Sequence, residues 1–94
     1  MSGRFKAAGS FELESRGLFV IHGELANGIA RIGQFASAPD GFLARVHGVE
    51  FVRLADGHED LALTFVPRDA AEAARWRGLA FSGEELDLAE RRPD

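Results

Sequence analysis

The chain has 94 residues and a formal net charge of −4, with no cysteine. This length supports one hydrophobic core, which excludes a second domain. The acidic balance makes nucleic acid an unlikely partner class, because nucleic-acid binders usually present a basic face. The lack of cysteine and of any apolar run near the ~20 residues of a membrane-spanning helix predicts a cytoplasmic protein without a membrane partner.

The N-terminal segment is rich in glycine and serine. Because it shows little periodicity, residues 1–10 are predicted to be a flexible arm. Alternating apolar and polar residues predict that strand structure begins near Phe11 and continues to Leu25. Asn27 and Gly28 then mark a tight turn.

Three further segments carry strand patterns. Residues 29–36 are short and apolar, and a proline- and glycine-containing turn separates them from a strand over 42–53. The apolar phase of this strand slips by one residue at Gly48, as a β-bulge would cause. Residues 61–66 alternate most regularly and predict the next strand.

One short helix is predicted over residues 69–77. Asp69 can cap its first turn, and Glu72 stands at the spacing of a capping box. Gly78 marks its end. Short β segments over 79–88 follow.

These elements predict a mostly β fold: a small closed or partly open antiparallel β-barrel with one short helix. The single domain is expected over residues 11–88, followed by a charged tail over 89–94. Seven phenylalanines are predicted to fall mostly on its inner faces and to form the core: Phe11, Phe19, Phe35, Phe42, Phe51, Phe65 and Phe81.

A strand, turn and glycine-containing run over residues 23–34 is the most specific motif. It reads Gly-Glu-Leu-Ala-Asn-Gly-Ile-Ala-Arg-Ile-Gly-Gln. The order of elements over residues 17–88, with this run, resembles the β-barrel that forms the second domain of elongation factor Tu and other translation GTPases. Gly28 and Gly33 are expected to adopt conformations that cost other residues about 1 kcal/mol or more.

A second matching segment lies over residues 46–53. The resemblance implies that Glu50 and Arg53 lie where this family contacts the aminoacyl end of bound tRNA. A binder of RNA ends or translation components is therefore one alternative function. The alternative for these residues is that Gly48 forms a bulge and Glu50 is an exposed rim residue. The sequence contains no phosphate-binding loop, so the chain is not expected to be a GTPase.

Candidate catalytic and metal-binding residues do not form a recognisable motif. The spacing of His22, His47 and His58 matches no local zinc pattern. The polar turn over residues 56–60 could hold a hard cation, although an ordinary solvated turn explains it too. No serine lies in a nucleophile elbow, and adjacent Glu84 and Glu85 would face opposite sides of a strand. We therefore predict no enzyme activity, no cofactor and no metal.

The helix carries the candidate interface. Trp76 is predicted to plug the core between helix and barrel, or else to form an interface with Arg75 and Arg77. Leu79 and the strand near Phe11 are further interface candidates, and we expect a homodimer.

The leading functional hypothesis is a non-catalytic binding or interaction module, of unknown pathway, that acts with a protein partner or with itself. Besides a binder of RNA ends, an unrecognised enzyme or small-ligand-binding protein stays an alternative. A basic cleft around Arg45 and Arg53 would favour RNA, whereas an exposed apolar patch would favour protein.

Overall fold

The computed structural model describes residues 2–39 and 41–92. In it, seven antiparallel strands form one curled sheet, which makes a partly open barrel. The strands are β1 (Gly3–Leu13), β2 (Leu18–Gly28), β3 (Phe35–Ser37), β4 (Leu43–Arg45), β5 (Gly48–Arg53), β6 (Glu59–Phe65) and β7 (Glu85–Ala89), and the helix α1 covers Ala70–Arg77. Their order across the sheet is β4-β3-β7-β1-β2-β6-β5. The predicted mostly β, barrel-like fold is therefore confirmed.

The predicted flexible arm over residues 1–10 is wrong for residues 3–10, which belong to β1. This strand lies in the middle of the sheet and pairs with β2 on one side and with β7 on the other. Phe5 and Ala7 are almost completely buried. Pairing on both sides stabilises β1 despite its weak local pattern, because strand formation depends on neighbours more than on intrinsic preference.

Phe11 is not a core residue, contrary to the prediction. The register of β1 against β2 shifts between Ala7 and Gly9, so Phe11 stands opposite Val20 instead of on the face that carries Phe5. Its ring lies 5.9 Å from that of His22, and 38% of the residue is exposed. A bulge in a strand reverses which face later residues occupy.

Phe51 is also wrongly predicted as core, since 71% of it is exposed. β5 is an outer strand of the sheet and pairs with β6 alone. Beyond Phe51, Arg53 and Glu59 are exposed register partners. This end of the strand pair therefore extends past the core, although Val49 still packs against it.

The segment predicted as one strand over 42–53 changes partner midway. Its first part, β4, pairs with β3, and its second part, β5, pairs with β6 at the opposite end of the sheet order. Val46 donates its N–H to Gln34 O at 2.8 Å, whereas the next N–H, of His47, goes to Thr64 O at 2.8 Å. This crossing brings the two ends of the sheet together.

The irregularity predicted at Gly48 is present. Gly48 is the register partner of Thr64, and the preceding residue also donates its N–H to Thr64, so two residues stand opposite one, as in a bulge. A Cβ at Gly48 would lie 2.7 Å from Thr64 Oγ1. Close approach between strands therefore requires glycine here.

Aromatic rings around Trp76 fill the barrel. The indole is 1% exposed, and its ring centre lies 5.2 Å from that of Phe42 and 5.6 Å from that of Phe19. Phe65 and Phe81 complete the cluster. Trp76 is thus a core plug, with too little exposed surface to act as the interface residue of the alternative interpretation.

The helix is confirmed with its caps. The carboxylate of Asp69 accepts the N–H of Glu72 at 2.8 Å, and Glu72 accepts the N–H of Arg68 at 2.9 Å. The chain leaves the helix at Gly78, as predicted.

Two smaller predictions need correction. No tight turn occurs at Asn27, because β2 continues to Gly28, which has the expected positive φ and pairs with Gly3. The charged tail over 89–94 begins later than predicted, since Ala89 belongs to β7 and Glu90 forms a 2.8 Å ion pair with Arg31. Residues 93–94 lie outside the described residues.

We expect Gly33→Val to lower the free energy of unfolding by at least about 1 kcal/mol, because Gly33 has a φ of +96° that β-branched residues rarely adopt. Crowding does not contribute, since a Cβ at Gly33 would meet no atom within 4 Å. Chemical denaturation measures the effect. Gly78→Val is the matched control, because Gly78 has an ordinary φ of −82° and its change is expected to stay within about 0.5 kcal/mol. Equal effects of the two substitutions would contradict the conformational argument.

Candidate functional site

A cavity of about 450 Å³ lies where the barrel is incompletely closed. On one side is β4, and on the other are the residues that follow the end of β6. We call it the seam cavity and define it by six of its lining residues: Leu43, Arg45, Val66, Arg68, Trp76 and Arg92. Its volume falls within the range of ligand sites.

The local sequence explains why the seam stays open. β6 ends at Phe65, and Pro67 follows two residues later with no N–H to donate to a neighbouring strand. The chain then turns into α1, whose cap begins at Asp69. Consequently β4 has no strand on its outer side within the described residues.

The charge around the seam cavity is mainly positive, with three arginines against one glutamate, Glu72. Arg45 donates to Gly33 O at 3.2 Å and lies 5.2 Å from the ring centre of Phe35. Neither Arg45 nor Arg92 has a carboxylate within 4.0 Å among residues 2–39 and 41–92. Among these residues, neither guanidinium group is held in an ion pair.

Arg68 is different, because it is held by Glu72 at 2.8 Å. Burial of Glu72 opposes its ionisation, but hydrogen bonds from the Arg68 side chain and backbone, with the charges of Arg68 and Arg75, outweigh it. They hold the pKa of Glu72 below its ordinary value of 4.5. This glutamate stays ionised at neutral pH and ties the residue before the helix to the first helical turn.

Apolar and hydrogen-bonding groups complete the seam cavity. Two apolar residues on its lining are exposed, Ile32 by 67% and Val66 by 50%. The indole N–H of Trp76 is buried and has no hydrogen-bond partner in the part of the chain that the structure describes. An unpaired buried donor costs roughly 1–3 kcal/mol.

A second cavity, of about 350 Å³, has His58 and Asp60 on its lining. The carboxylate of Asp60 lies 2.8 Å from Nδ1 of His22 and 3.0 Å from Nε2 of His58. Asp60 is 7% exposed, and His22 is partly buried. His47, the third zinc candidate, lines the seam cavity instead. Across residues 2–39 and 41–92, no three potential ligands are arranged to hold a metal ion.

The residues suggested by the resemblance are not brought together. Glu50 and Arg53 lie three positions apart in β5, so their side chains leave opposite faces of the strand. Both are exposed, and Arg53 has Glu59 at 3.9 Å. Arg53 does not line the seam cavity with Arg45, so the described residues form no continuous basic cleft between them.

The interface candidates are dispersed as well. Arg77 is paired with Glu12, Arg75 lies 4.0 Å from Glu72, and Leu79 packs against the core. These positions do not test the expected homodimer, which stays a prediction. Among the described residues, no helix has the length and apolar character needed to cross a membrane.

Comparison with protein-family models, with curated proteins and with solved structures gives no match. The resemblance to the second domain of translation GTPases stays a prediction.

We expect Glu72→Gln to lower the free energy of unfolding at pH 7, because it keeps the acceptor for the Arg68 N–H but removes the charge. A carboxylate with a lowered pKa stabilises the fold above its unfolded pKa, and this contribution disappears as pH falls through the folded pKa. The difference from the wild type should therefore shrink as pH falls and vanish once the carboxyl of Glu72 is protonated in the folded protein.

Denaturation between pH 7 and pH 3 measures this, with the exposed Glu14→Gln as a control that should follow the wild type throughout. A Glu72→Gln difference that stays constant over the whole pH range would contradict the ion-pair account.

Proposed function

We propose that this protein is a non-catalytic binding module and that it binds an anionic partner in the seam cavity. The observation that supports this most is the clustering of Arg45, Arg68 and Arg92 on one cavity in a chain of net charge −4. Clustered guanidinium groups are suited to carboxylates and phosphates. The apolar lining beside them favours a protein partner over a simple ion.

Binding is favoured over catalysis by the arrangement of the second cavity. Ser82, His58 and Asp60 all line it, which is the residue set of a nucleophilic site. Within the described chain, however, no hydrogen bond joins the Ser82 hydroxyl to His58. His58 is therefore not placed as the base that would activate Ser82. An enzyme or a small-ligand protein is the alternative for this cavity.

A binder of RNA ends or translation components is the alternative that the family resemblance suggests. It would use Glu50 and Arg53 on β5 instead of the seam cavity. The pathway stays open, and the cysteine-free composition favours the cytoplasm.

Fluorescence anisotropy with labelled poly-glutamate tests the proposal. We expect wild-type protein to bind it and Arg45→Ala or Arg92→Ala to weaken binding at least about tenfold each, because each removes a charge-assisted hydrogen bond. Arg16→Ala is the matched control, since it removes an exposed arginine that does not line the seam cavity. No binding, or equal loss in all three variants, would contradict the proposal.

A labelled RNA ending in CCA distinguishes the alternative. Tight RNA binding that is lost in Glu50→Ala and Arg53→Ala but kept in Arg45→Ala would support the family resemblance and remove the seam cavity as the main site.

A further inference from the structure

The outer edge of β4 is an unpaired strand edge, and the hydrogen bonds on its inner side show which backbone groups point outwards. On its inner side, Ala38 donates to Phe42 O at 2.9 Å and Val46 donates to Gln34 O at 2.8 Å. Ala44 pairs with Ala36 between them. Backbone groups alternate sides along a strand, so Leu43 and Arg45 direct their N–H and C=O away from β3.

These outward groups have no backbone partner in the described part of the chain, because β4 is the last strand of the sheet order. They border the seam cavity, whose opposite wall is formed by Val66 and Arg68. The open edge of β4 therefore faces the chain that follows β6 across the seam cavity.

The edge offers donors and acceptors together. A phosphate or a free carboxylate can accept from the N–H groups of Leu43 and Arg45, but it cannot donate to their carbonyl oxygens. A peptide backbone supplies both in the spacing of a strand, as in β-strand addition. The backbone groups of the edge thus favour a peptide over a phosphate ion or a free carboxylate.

The charge of the seam cavity indicates which side chains such a peptide would carry. Arg45 and Arg92 lack carboxylate partners among the described residues, while Ile32 and Val66 expose apolar surface beside them. In a strand, alternate residues point to opposite faces. Acidic residues alternating with apolar ones would therefore satisfy the arginines and cover the apolar lining.

We propose that the partner is an extended acidic peptide segment that adds as a strand to the outer edge of β4 at the seam cavity. This inference rests on the proposed function, because it identifies the anionic partner of the same site. Backbone pairing with Leu43 and Arg45 orients the peptide along β4, and the arginines select acidic side chains.

A second copy of this chain fits the edge less well. Twofold pairing of two β4 edges would place the arginines of one seam cavity beside those of the other, because a twofold interface brings the same patch of both subunits together. Like charges across paired strands are destabilising. Charge complementarity thus assigns the edge to an acidic peptide.

The probe for the test is a fluorescein-labelled, acetylated Glu-Val-Glu-Val-Glu amide. Two isomeric variants carry backbone N-methyl groups, one at the valines and the other at two of the glutamates. They have the same charge and composition, but only one of them loses the N–H groups that face β4.

We expect the unmethylated peptide to bind and one methylated isomer to bind at least about tenfold more weakly than the other. Equal affinity of the two isomers would overturn strand addition, whether that affinity is high or low. A peptide in which lysine replaces glutamate should not bind, and its binding would overturn the charge argument.

The arms of this experiment separate the two proposals. If poly-glutamate binds and depends on Arg45 while the two methylated isomers bind equally, the seam cavity is an anion site and strand addition is wrong. If the pentapeptide fails to bind but poly-glutamate still depends on Arg45, strand addition is again wrong and the proposed function survives. If poly-glutamate and the pentapeptide both fail to bind the wild type, the proposed function fails too.

Discussion

The fold depends on a change of hydrogen-bonding direction between two adjacent residues. Val46 donates to β3 and His47 donates to β6, so one continuous segment joins the two ends of the sheet order. Without this crossing the sheet would have two separate open edges. With it, the sheet curls around the aromatic rings that surround Trp76.

The same crossing leaves the barrel incomplete on one side. Beyond His47 the segment is closed against β6, but before Val46 it pairs only with β3. Pro67 and the cap of α1 take the chain away from β4 at this level. Core closure and the seam cavity are thus two results of one crossing. The Glu72 ion pair with Arg68 closes the N-terminal end of the helix beside the cavity.

Features with local signals could be predicted from the sequence. The helix was predictable because Asp69 and Glu72 stand at capping-box spacing, and the positive φ of Gly33 because glycine adopts it without steric cost. The slip at Gly48 was visible as a change of apolar phase. Each of these signals lies within a few residues of the feature it predicts.

Features that depend on pairing over long sequence separations could not be predicted. β1 is stabilised by β7, which lies more than 70 residues later in the chain, so its own glycine-rich pattern suggested an arm. The shift between Ala7 and Gly9 placed Phe11 on the unexpected face for the same reason. The seam cavity joins Arg45, Arg68 and Arg92, which share no local motif.

Amide hydrogen exchange along residues 43–47 tests the partner change at the seam most directly. The N–H groups of Val46 and His47 are bonded in opposite directions, whereas those of Leu43 and Arg45 face the seam cavity. The account predicts that Val46 and His47 exchange about a hundredfold more slowly than Leu43 and Arg45 in the free protein. Comparable protection of all four amides would show that β4 is paired on both sides and would contradict the open seam.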